Sequence, residues 1–345
     1  MNRLAVVADD LTGALDATAP FAARGIVTAV ALGPDGLAAA LACGAQVVGV
    51  STDSREVAPE VARQAVADCV AQLPDGISIF KKVDSRLKGN IAAELDAIPF
   101  TRALVMPAIP DFGRWVKNGR LGGYGVPEPI AVEARLGRHF EQASVPDTSS
   151  QADIAQALDT TEHDLPVGAR GLAEALAARM APDFVAMPMS SISGPVIVVI
   201  GSTDPITLAQ VDRLRSARAD LVYVAAPGGE MAAPPMPASL TVVQATDSGA
   251  KADPLQVARQ LARAVLLLRP RPGTTLVVSG GATAQTVLRG LGISVLQLLG
   301  EALPGLPIAR AGGFTVITKS GGFGQPHTLL DLLGHSAGSD RESNG

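Results

Sequence analysis

Residues 4–16, which read LAVVADDLTGALD, join a short apolar run to an amphipathic stretch through two adjacent aspartates. Leu4–Ala8 predicts a strand, and Thr12–Ala23 predicts the helix that follows it, with Gly25 placed to end that helix. The same alternation continues through predicted strands at Val27–Leu32, Val47–Ser51, Ile77–Lys82 and Ala103–Met106. Such a rhythm is typical of a parallel sheet with crossover helices, and its continuous apolar strands suit burial on both faces.

The alternation stops in the middle of the chain and then restarts. Residues 114–130 contain four glycines and two prolines, which predicts a long loop or an irregular hairpin. After a linker at Pro182–Pro195, strands are predicted at Val196–Ile200, Leu221–Val224 and Thr275–Val278, and a hairpin at Ile308–Thr318. A chain of 345 residues is long enough for two cores. We therefore predict two α/β domains, 1–190 and 191–345, with mainly parallel sheets and a ligand cleft between them.

Composition and spacing exclude several classes of protein. The net charge of −5 gives no overall positive field for binding nucleic acid or anionic lipid. Cys43 and Cys69 are too few for a disulfide scaffold, and the four histidines lack the HxxxH spacing of zinc sites. No apolar run approaches the roughly 18 residues of a membrane span. We expect a cytoplasmic protein that binds neither nucleic acid nor membrane, and a homo-oligomer is left open.

Two adjacent carboxylates, Asp9 and Asp10, follow the first predicted strand. Ligands of open α/β sheets gather at the carboxyl ends of the strands, which is where this pair lies. The carboxylates could hydrogen-bond sugar hydroxyls, hold a magnesium ion through water, or act as a base. The alternative is that Asp10 or Thr12 only caps the helix. One carboxylate is enough for a cap, so the pair favours a functional site.

A basic cluster, KKVDSRLKGN at residues 81–90, lies between a predicted strand and a predicted helix. Its four cations and the start of the helix could together bind an anion. Asp84 within it could orient Lys82 or Arg86, or activate a substrate hydroxyl. The alternative is a solvated loop, and the position at a strand end favours the site.

Three turns rich in Gly, Ser and Thr follow predicted strands of the second half: Gly201–Asp204, Ser279–Ala284 and Lys319–Gly324. Glycine lets the backbone approach a phosphate, and a helix N-terminus faces it. None of the turns is a Walker A or GxGxxG motif, and a tight strand-to-helix turn explains each one alone. The three together are what a nucleotide-phosphate site needs.

In combination these motifs resemble the four-carbon acid sugar kinase family. Its Asp-Asp-Leu-Thr-Gly-Ala-x-Asp turn matches Asp9–Asp16, and its Lys-x-Asp-Ser-x-x-(Arg/Lys)-Gly-Asn stretch matches Lys82–Asn90. Its Pro-Ala-x-Pro-x-x-Gly-Arg segment matches Pro107–Arg114. The serine turn at Gly201-Ser202 and the two later glycine turns match its nucleotide side.

The resemblance implies a sugar-acid-binding domain followed by a nucleotide-binding domain. The implied reaction is ATP-dependent phosphorylation of threonate, erythronate or 3-oxo-tetronate, with Mg²⁺ bridging the phosphates. The implied substrate-binding residues are Asp9, Asp10, Lys82, Asp84, Ser85, Arg86, Lys88 and Arg114. The implied ATP-binding residues are Ser202, Gly280, Gly281, Ala282, Thr283, Lys319, Gly321, Gly322 and Gly324.

Within this set, Lys82, Arg86 and Lys88 are expected to neutralise the substrate carboxylate and the transferring phosphoryl group. A carboxylate is expected to act as the base, and Asp84 is preferred to Asp10 because its neighbours are cationic. Two alternatives stay open: a non-catalytic sensor of a sugar acid or nucleotide, and a kinase for another small hydroxy acid. The sensor is motivated by Ala282, where the family usually has an acidic residue, and by the loop after Arg114, which departs from the family's usual threonines and Gly-Gly-His. The kinase for another hydroxy acid is motivated by the same altered loop, which would reshape the pocket.

Overall fold

The computed structural model describes residues 3–184, 192, 194–249 and 253–334 of the chain. The chain divides into an N-terminal unit, Met1–Met187 with Ser294–Gly300, and a C-terminal unit, Pro188–Ile293 with Glu301–Gly345. Both units are α/β with mainly parallel sheets, as the sequence predicts. The predicted domain boundary after residue 190 lies outside the described residues.

Strands and helices alternate in the N-terminal unit. Its strands are β1 (Leu4–Ala8), β2 (Thr28–Ala31), β3 (Val47–Ser51), β4 (Ser78–Lys82), β5 (Ala103–Met106), β6 (Arg114–Lys117), β7 (Arg120–Gly123), β8 (Val126–Ala131), β9 (Ala143–Ser144) and β10 (Leu165–Gly168). Its helices are α1 (Leu11–Ala22), α2 (Pro34–Ala42), α3 (Pro59–Val70), α4 (Ile91–Leu95), α5 (Glu133–Leu136), α6 (Gln151–Thr160) and α7 (Arg170–Met180).

The C-terminal unit repeats the alternation. Its strands are β11 (Val196–Ile200), β12 (Leu221–Pro227), β13 (Leu240–Thr246), β14 (Thr275–Ser279), β16 (Leu306–Ala311) and β17 (Phe314–Lys319). Its helices are α8 (Pro205–Ala217), α9 (Pro254–Leu267), α10 (Gly281–Gly290) and α11 (Thr328–Leu333). A further strand, β15 (Val295–Leu303), begins in the residues that belong to the N-terminal unit. No helix in the described ranges is long and apolar enough to cross a membrane.

The main sheet of the N-terminal unit has the strand order β15-β2-β3-β1-β4-β10-β5-β9. Neighbouring strands are parallel, except that Val295–Leu298 of β15 pairs antiparallel with β2. The sequence analysis did not predict β10 or β15. Every residue of β1 and β3 is buried, as expected for strands covered on both faces.

The strands of this sheet end at one level. Ala8 pairs with Ser51 on one side and Lys82 on the other, Lys82 pairs with Gly168, and Gly168 pairs with Met106. The segments that follow β1, β3, β4, β10 and β5 therefore leave the sheet at the same edge. This is the edge at which open parallel sheets bind ligands.

The segment after Gly113 is more regular than predicted. The expected loop or irregular hairpin is a three-stranded antiparallel sheet of β6, β7 and β8. Asn118 and Gly119 join β6 to β7 with φ angles of 50° and 66°. An Asn-Gly pair with two positive φ angles is the preferred two-residue hairpin turn, and the prediction overlooked it. Val116 and Leu121 then bury their side chains in the unit's core.

The sheet of the C-terminal unit has the order β12-β13-β11-β14-β17-β16. Its neighbours are parallel except for the hairpin of β16 and β17, which confirms the predicted hairpin. Ile200 pairs with Ser279, and Ser279 pairs with Lys319, so the three glycine-containing turns also leave one edge together. The sequence analysis missed β13.

A buried ion pair links β4 to α4. Lys81 is fully buried, and its Nζ lies 2.8 Å from Oε2 of Glu94, which is 1% exposed. The other oxygen of Glu94 accepts a hydrogen bond from Ser54, in the segment that follows β3. The pair therefore ties the core to the edge of the sheet.

We predict that Glu94→Leu lowers the free energy of unfolding of the N-terminal unit by about 3–5 kcal/mol, because Lys81 is left as an uncompensated buried charge. The double variant Lys81→Met/Glu94→Leu should recover most of the loss, since it removes both charges. Urea unfolding followed by fluorescence of Trp115, the single tryptophan of the chain, measures this unit. A loss below about 1 kcal/mol in the single variant would contradict the prediction.

Candidate functional site

Arg55 joins three carboxylates at the edge of the N-terminal sheet. Its Nε donates to Oδ2 of Asp9 and its Nη2 donates to Oδ1 of Asp9, each at 2.8 Å. Its Nη1 donates to Oδ2 of Asp10 at 2.7 Å and lies 3.7 Å from Oδ2 of Asp84. Residues that follow β1, β3 and β4 thus form one group, which we call the Arg55 cluster: Asp9, Asp10, Arg55 and Asp84.

Opposite charges keep Asp9 and Arg55 ionised. Burial alone would raise the pKa of Asp9, but the hydrogen bonds and charge of Arg55, with the charges of Lys81 and Lys82, hold that pKa below its usual value. Burial also disfavours the charged guanidinium, yet Asp9 and its acidic neighbours raise the pKa of Arg55 above its usual value. Asp9 and Arg55 therefore stay charged at neutral pH.

Asp10 caps α1, which is one of the two alternatives that the sequence left open, and it also accepts a hydrogen bond from Arg55. Its Oδ1 accepts a hydrogen bond of 2.6 Å from the backbone N–H of Gly13, which caps α1. Its Oδ2 accepts from the hydroxyl of Thr12 at 2.8 Å as well as from Arg55. Helix capping accounts for an aspartate at position 10. Asp9 has no part in the cap: it is 2% exposed and its carboxylate accepts two hydrogen bonds from the guanidinium of Arg55.

Asp84 organises the turn that follows β4. Its Oδ1 accepts hydrogen bonds from the backbone N–H groups of Arg86 at 2.9 Å and Lys88 at 3.3 Å. Leu87 and Gly89 adopt positive φ angles of 54° and 87°, which complete the turn. No described residue donates a hydrogen bond to Oδ2 of Asp84, so this oxygen keeps its acceptor capacity.

The four cations of the basic cluster occupy three different environments. Lys81 lies in the core with Glu94, and Arg86 and Lys88 are exposed. Lys82 is 3% exposed, and its Nζ donates to the carbonyl of Val83 at 3.0 Å. The anion-binding turn expected from the sequence therefore presents at most Arg86 and Lys88 to solvent.

Arg114 begins β6 and reaches the turn after β4. Its Nη1 donates to the hydroxyl of Ser85 at 2.6 Å, and its Nε donates to the carbonyl of Tyr124 at 2.9 Å. Burial and the nearby charge of Arg86 lower the pKa of Arg114 from its usual value. Arg114 forms no ion pair with any residue in the described ranges, although the charges of Asp84 and Asp16 act on it from a longer distance. It therefore offers a cation with no directly bound carboxylate.

Two arginines at this edge were missed by the sequence analysis. Arg55 lies four residues beyond β3, and Arg170 lies two residues beyond β10. Nε of Arg170 donates to Oε1 of Glu174 at 2.7 Å, and its Nη1 donates to Oδ1 of Asp16 at 3.2 Å. Arg55 could have been found, because the strand before it was predicted and parallel strands end together. Arg170 could not, because β10 was not predicted.

The glycine turn after β17 is held from inside by Lys319, which is 1% exposed. Its Nζ donates to the carbonyls of Ser320 at 2.9 Å, Gly321 at 3.0 Å and Phe323 at 3.2 Å. It also donates to the hydroxyl of Thr207 at 2.9 Å. The sequence placed Lys319 among the ATP-binding residues, and its ammonium group is directed into the turn.

The turns after β11 and β17 approach each other closely. A Cβ atom on Gly321 would lie 2.5 Å from Oγ of Ser202, and one on Gly322 would lie 2.8 Å from Oδ2 of Asp204. Asp204 also caps α8, because its Oδ1 accepts from the backbone N–H of Ile206 at 2.9 Å. Its carboxylate therefore takes the place that a phosphate could have at the start of α8.

The turn after β14 fits a phosphate group better. Gly280 has a φ of 101°, and no side chain in the described part of the chain caps the first turn of α10, which includes Ala282 and Thr283. The hydroxyl of Ser279 at its head is buried and has no hydrogen-bond partner among the described residues. Uncapped backbone N–H groups at a helix start are suited to bind an anion.

No group of three or more His, Cys, Asp or Glu residues that could hold a metal ion occurs in the part of the chain that the structure describes. A Mg²⁺ ion bound with a nucleotide takes most of its ligands from phosphates and water. A Mg²⁺–nucleotide therefore needs only a phosphate-binding turn such as the one after β14.

Family models match both units. A model described as a sugar-binding N-terminal domain matches residues 4–128, and one described as a nucleotide-binding C-terminal domain matches residues 233–329. The chain is 30% identical to a D-threonate kinase of Bordetella bronchiseptica, over 95% of this chain and 96% of that protein. The chain belongs to the four-carbon acid sugar kinase family.

Other members of this kinase family are also similar over nearly the full chain. A D-threonate kinase of Cupriavidus necator is 28% identical over 94% of this chain and 95% of that protein. A 3-oxo-tetronate kinase of Pseudomonas fluorescens is 26% identical over 97% of each. A solved Salmonella typhimurium structure superposes with a TM-score of 0.72 at 19% identity, over 96% of this chain and 98% of that one, and shares the fold.

We predict that Arg55→Met lowers the free energy of unfolding of the N-terminal unit by about 3 kcal/mol at pH 7, because Asp9 loses its buried partner. Asp9 has a lowered pKa in the folded protein, so its stabilising effect is present above the unfolded pKa of about 3.9 and is lost as the pH falls. The deficit of the variant should therefore shrink between about pH 5 and pH 3.

Urea unfolding monitored at Trp115 at several pH values measures this deficit. Arg63→Met is the matched control, because Arg63 is an exposed arginine of α3. A deficit that stays constant down to pH 3 would show that Arg55 does not act through Asp9.

Proposed function

We propose that this protein is an ATP-dependent kinase that phosphorylates a hydroxyl group of a four-carbon sugar acid such as threonate, erythronate or 3-oxo-tetronate. The names of its relatives support the reaction class. The structural observation that carries the proposal is the Arg55 cluster, with Arg114 beside it, at the ligand-binding edge of the unit that matches the sugar-binding model.

Arg114 is suited to bind the carboxylate of the substrate. Arg55 donates into Asp9 and Asp10, and Arg170 is paired with acidic side chains of its own unit. Arg114 is partly buried and has no carboxylate partner among the described residues. A partly desolvated guanidinium gains from an anionic ligand that it can bind with two hydrogen bonds. This arrangement favours an acid over a neutral sugar.

Asp84 is suited to accept the proton of the reacting hydroxyl group. Each carboxylate oxygen of Asp9 and Asp10 already accepts a hydrogen bond from Arg55, Gly13 or Thr12. Oδ2 of Asp84 accepts none from the described residues and lies 3.7 Å from Nη1 of Arg55. In phosphoryl transfer a carboxylate in this role orients the acceptor hydroxyl and takes its proton.

The glycine turns of the C-terminal unit are suited to hold the nucleotide. The backbone N–H groups at the start of α10 would bind phosphate oxygens, because none of the side chains that the structure describes caps them. When bound, Mg²⁺·ATP supplies the phosphoryl group, and the metal offsets charge on the phosphates. The chain's own residues orient the two substrates and move the proton.

We expect turnover when the protein is incubated with Mg²⁺·ATP and a panel of three- to six-carbon sugar acids. At least one four-carbon acid should exceed acids of other lengths by about tenfold or more in kcat/KM. The matching four-carbon polyols, which lack the carboxylate, should be poor substrates. In Arg114→Met the advantage of the acid over the polyol should largely disappear. ADP release measures each rate.

If no turnover is seen, calorimetric titration with Mg²⁺·ATP shows whether the protein still binds the nucleotide. ATP binding with no turnover across the panel would favour a sensor or a kinase for another hydroxy acid. Absence of ATP binding would contradict the proposed function altogether.

We predict that Asp84→Asn lowers kcat about 10²- to 10⁴-fold and leaves the affinity for ATP unchanged, because the base is lost and the nucleotide turns are intact. Asp53→Asn is the matched control. Asp53 is exposed, follows the neighbouring strand β3, and has a φ of 53°, which asparagine adopts readily. A larger loss of kcat in Asp10→Asn than in Asp84→Asn would show that Asp10 is the base.

A further inference from the structure

The ammonium group of Lys319 is surrounded by acceptors of a single turn. Its Nζ lies 2.9–3.2 Å from the carbonyl oxygens of Ser320, Gly321 and Phe323, and 2.9 Å from the hydroxyl of Thr207. An ammonium group has three N–H donors. Four acceptors therefore occupy all of its donors, and none remains for a phosphate oxygen.

The same turn is fastened from α8. Nε2 of Gln210, a fully buried residue, donates to the carbonyls of Phe323 and Gln325, each at 3.0 Å. The hydroxyl of Thr207 donates to the carbonyl of Gly321. The backbone of this turn thus points its carbonyls inward, toward Lys319 and α8. The shape of the turn therefore depends on hydrogen-bond donors from buried side chains, and among Lys319, Thr207 and Gln210 only Lys319 carries a charge.

We propose that Lys319 is a positioning residue whose protonated amine holds the turn Ser320–Gly324 in its nucleotide-binding shape, so that nucleotide affinity depends on the protonation of this one group. The inference rests on the proposed function, because it assigns a role within the nucleotide site. In this role Lys319 does not bind a phosphate directly, because its amine donates its hydrogen bonds to the turn itself.

Burial makes this amine sensitive to pH in a useful range. Burial lowers the pKa of Lys319 to about 8, and the negative charge of Asp204 opposes the shift only in part. Asp204 is the charged group that faces the amine from α8 and the turn before it. Loss of the proton leaves two N–H donors for four acceptors and removes the charge that strengthens each hydrogen bond.

The pH dependence of nucleotide binding tests the inference. If only the protonated form binds, the Kd of Mg²⁺·ATP measured by calorimetry should rise about tenfold between pH 7 and pH 9. At pH 8 the protein should take up about half a proton on binding, which titrations in buffers of different ionisation enthalpy reveal. These two measurements use the unaltered protein and need no variant to fold.

Variants test whether Lys319 causes the pH dependence of nucleotide affinity. Lys319→Met should bind Mg²⁺·ATP at least tenfold more weakly at pH 7, and its Kd should be flat between pH 7 and pH 9. Lys117→Met, which alters an exposed lysine of β6, is the matched control and should keep the pH dependence of the unaltered protein.

The outcomes separate this inference from the proposed function. Binding of ATP with no proton uptake and the same pH dependence in Lys319→Met would overturn the role of Lys319 and leave the kinase proposal standing. Absence of ATP binding at every pH would overturn both. Proton uptake at pH 8 that is lost in Lys319→Met would support the inference.

Discussion

The candidate site of the N-terminal unit depends on the register of a parallel sheet. Parallel strands that pair from end to end also stop together, so residues distant in sequence leave the sheet at one edge. Ala8 pairs with both Ser51 and Lys82, and the segments beyond these residues supply the members of the Arg55 cluster. A shift of one residue along a strand is about 3.3 Å, which is more than the hydrogen bonds of a guanidinium tolerate. The backbone ladder therefore fixes the distances of the site before any side chain contributes.

The two units stabilise buried cations in different ways, and the difference has a chemical consequence. Arg55 and Lys81 lie against carboxylates, which offset the cost of burial with full opposite charges. Lys319 lies against carbonyl and hydroxyl dipoles, which offset it less, and burial lowers its pKa to about 8. Asp9 and Arg55 consequently hold their charges across neutral pH, whereas Lys319 can lose its charge just above neutral pH.

The sequence pattern predicted the strands that are uninterrupted apolar runs and failed for strands that are interrupted or only half-buried. β1, β3 and β11 are unbroken apolar runs, and the first prediction located each of them. β10 contains Pro166, and β15 alternates buried with exposed residues, so neither stands out as a buried strand. The same limit applies to the site. Asp9 and Asp84 lie one and two residues beyond predicted strands, whereas Arg170 lies two residues beyond β10, which the sequence pattern did not reveal.

Glycines in the matched motifs provide space at some positions and backbone freedom at others. A Cβ atom on Gly13 would lie 2.7 Å from Oδ1 of Asp10, and one on Gly321 would lie 2.5 Å from Oγ of Ser202. Neither residue has a positive φ, so what glycine supplies there is room for a polar oxygen against the backbone. Gly280, with a φ of 101°, supplies conformation instead. A glycine-rich turn therefore does not by itself indicate a phosphate. The argument for a nucleotide rests on the backbone donors left free, and these are at the uncapped start of α10.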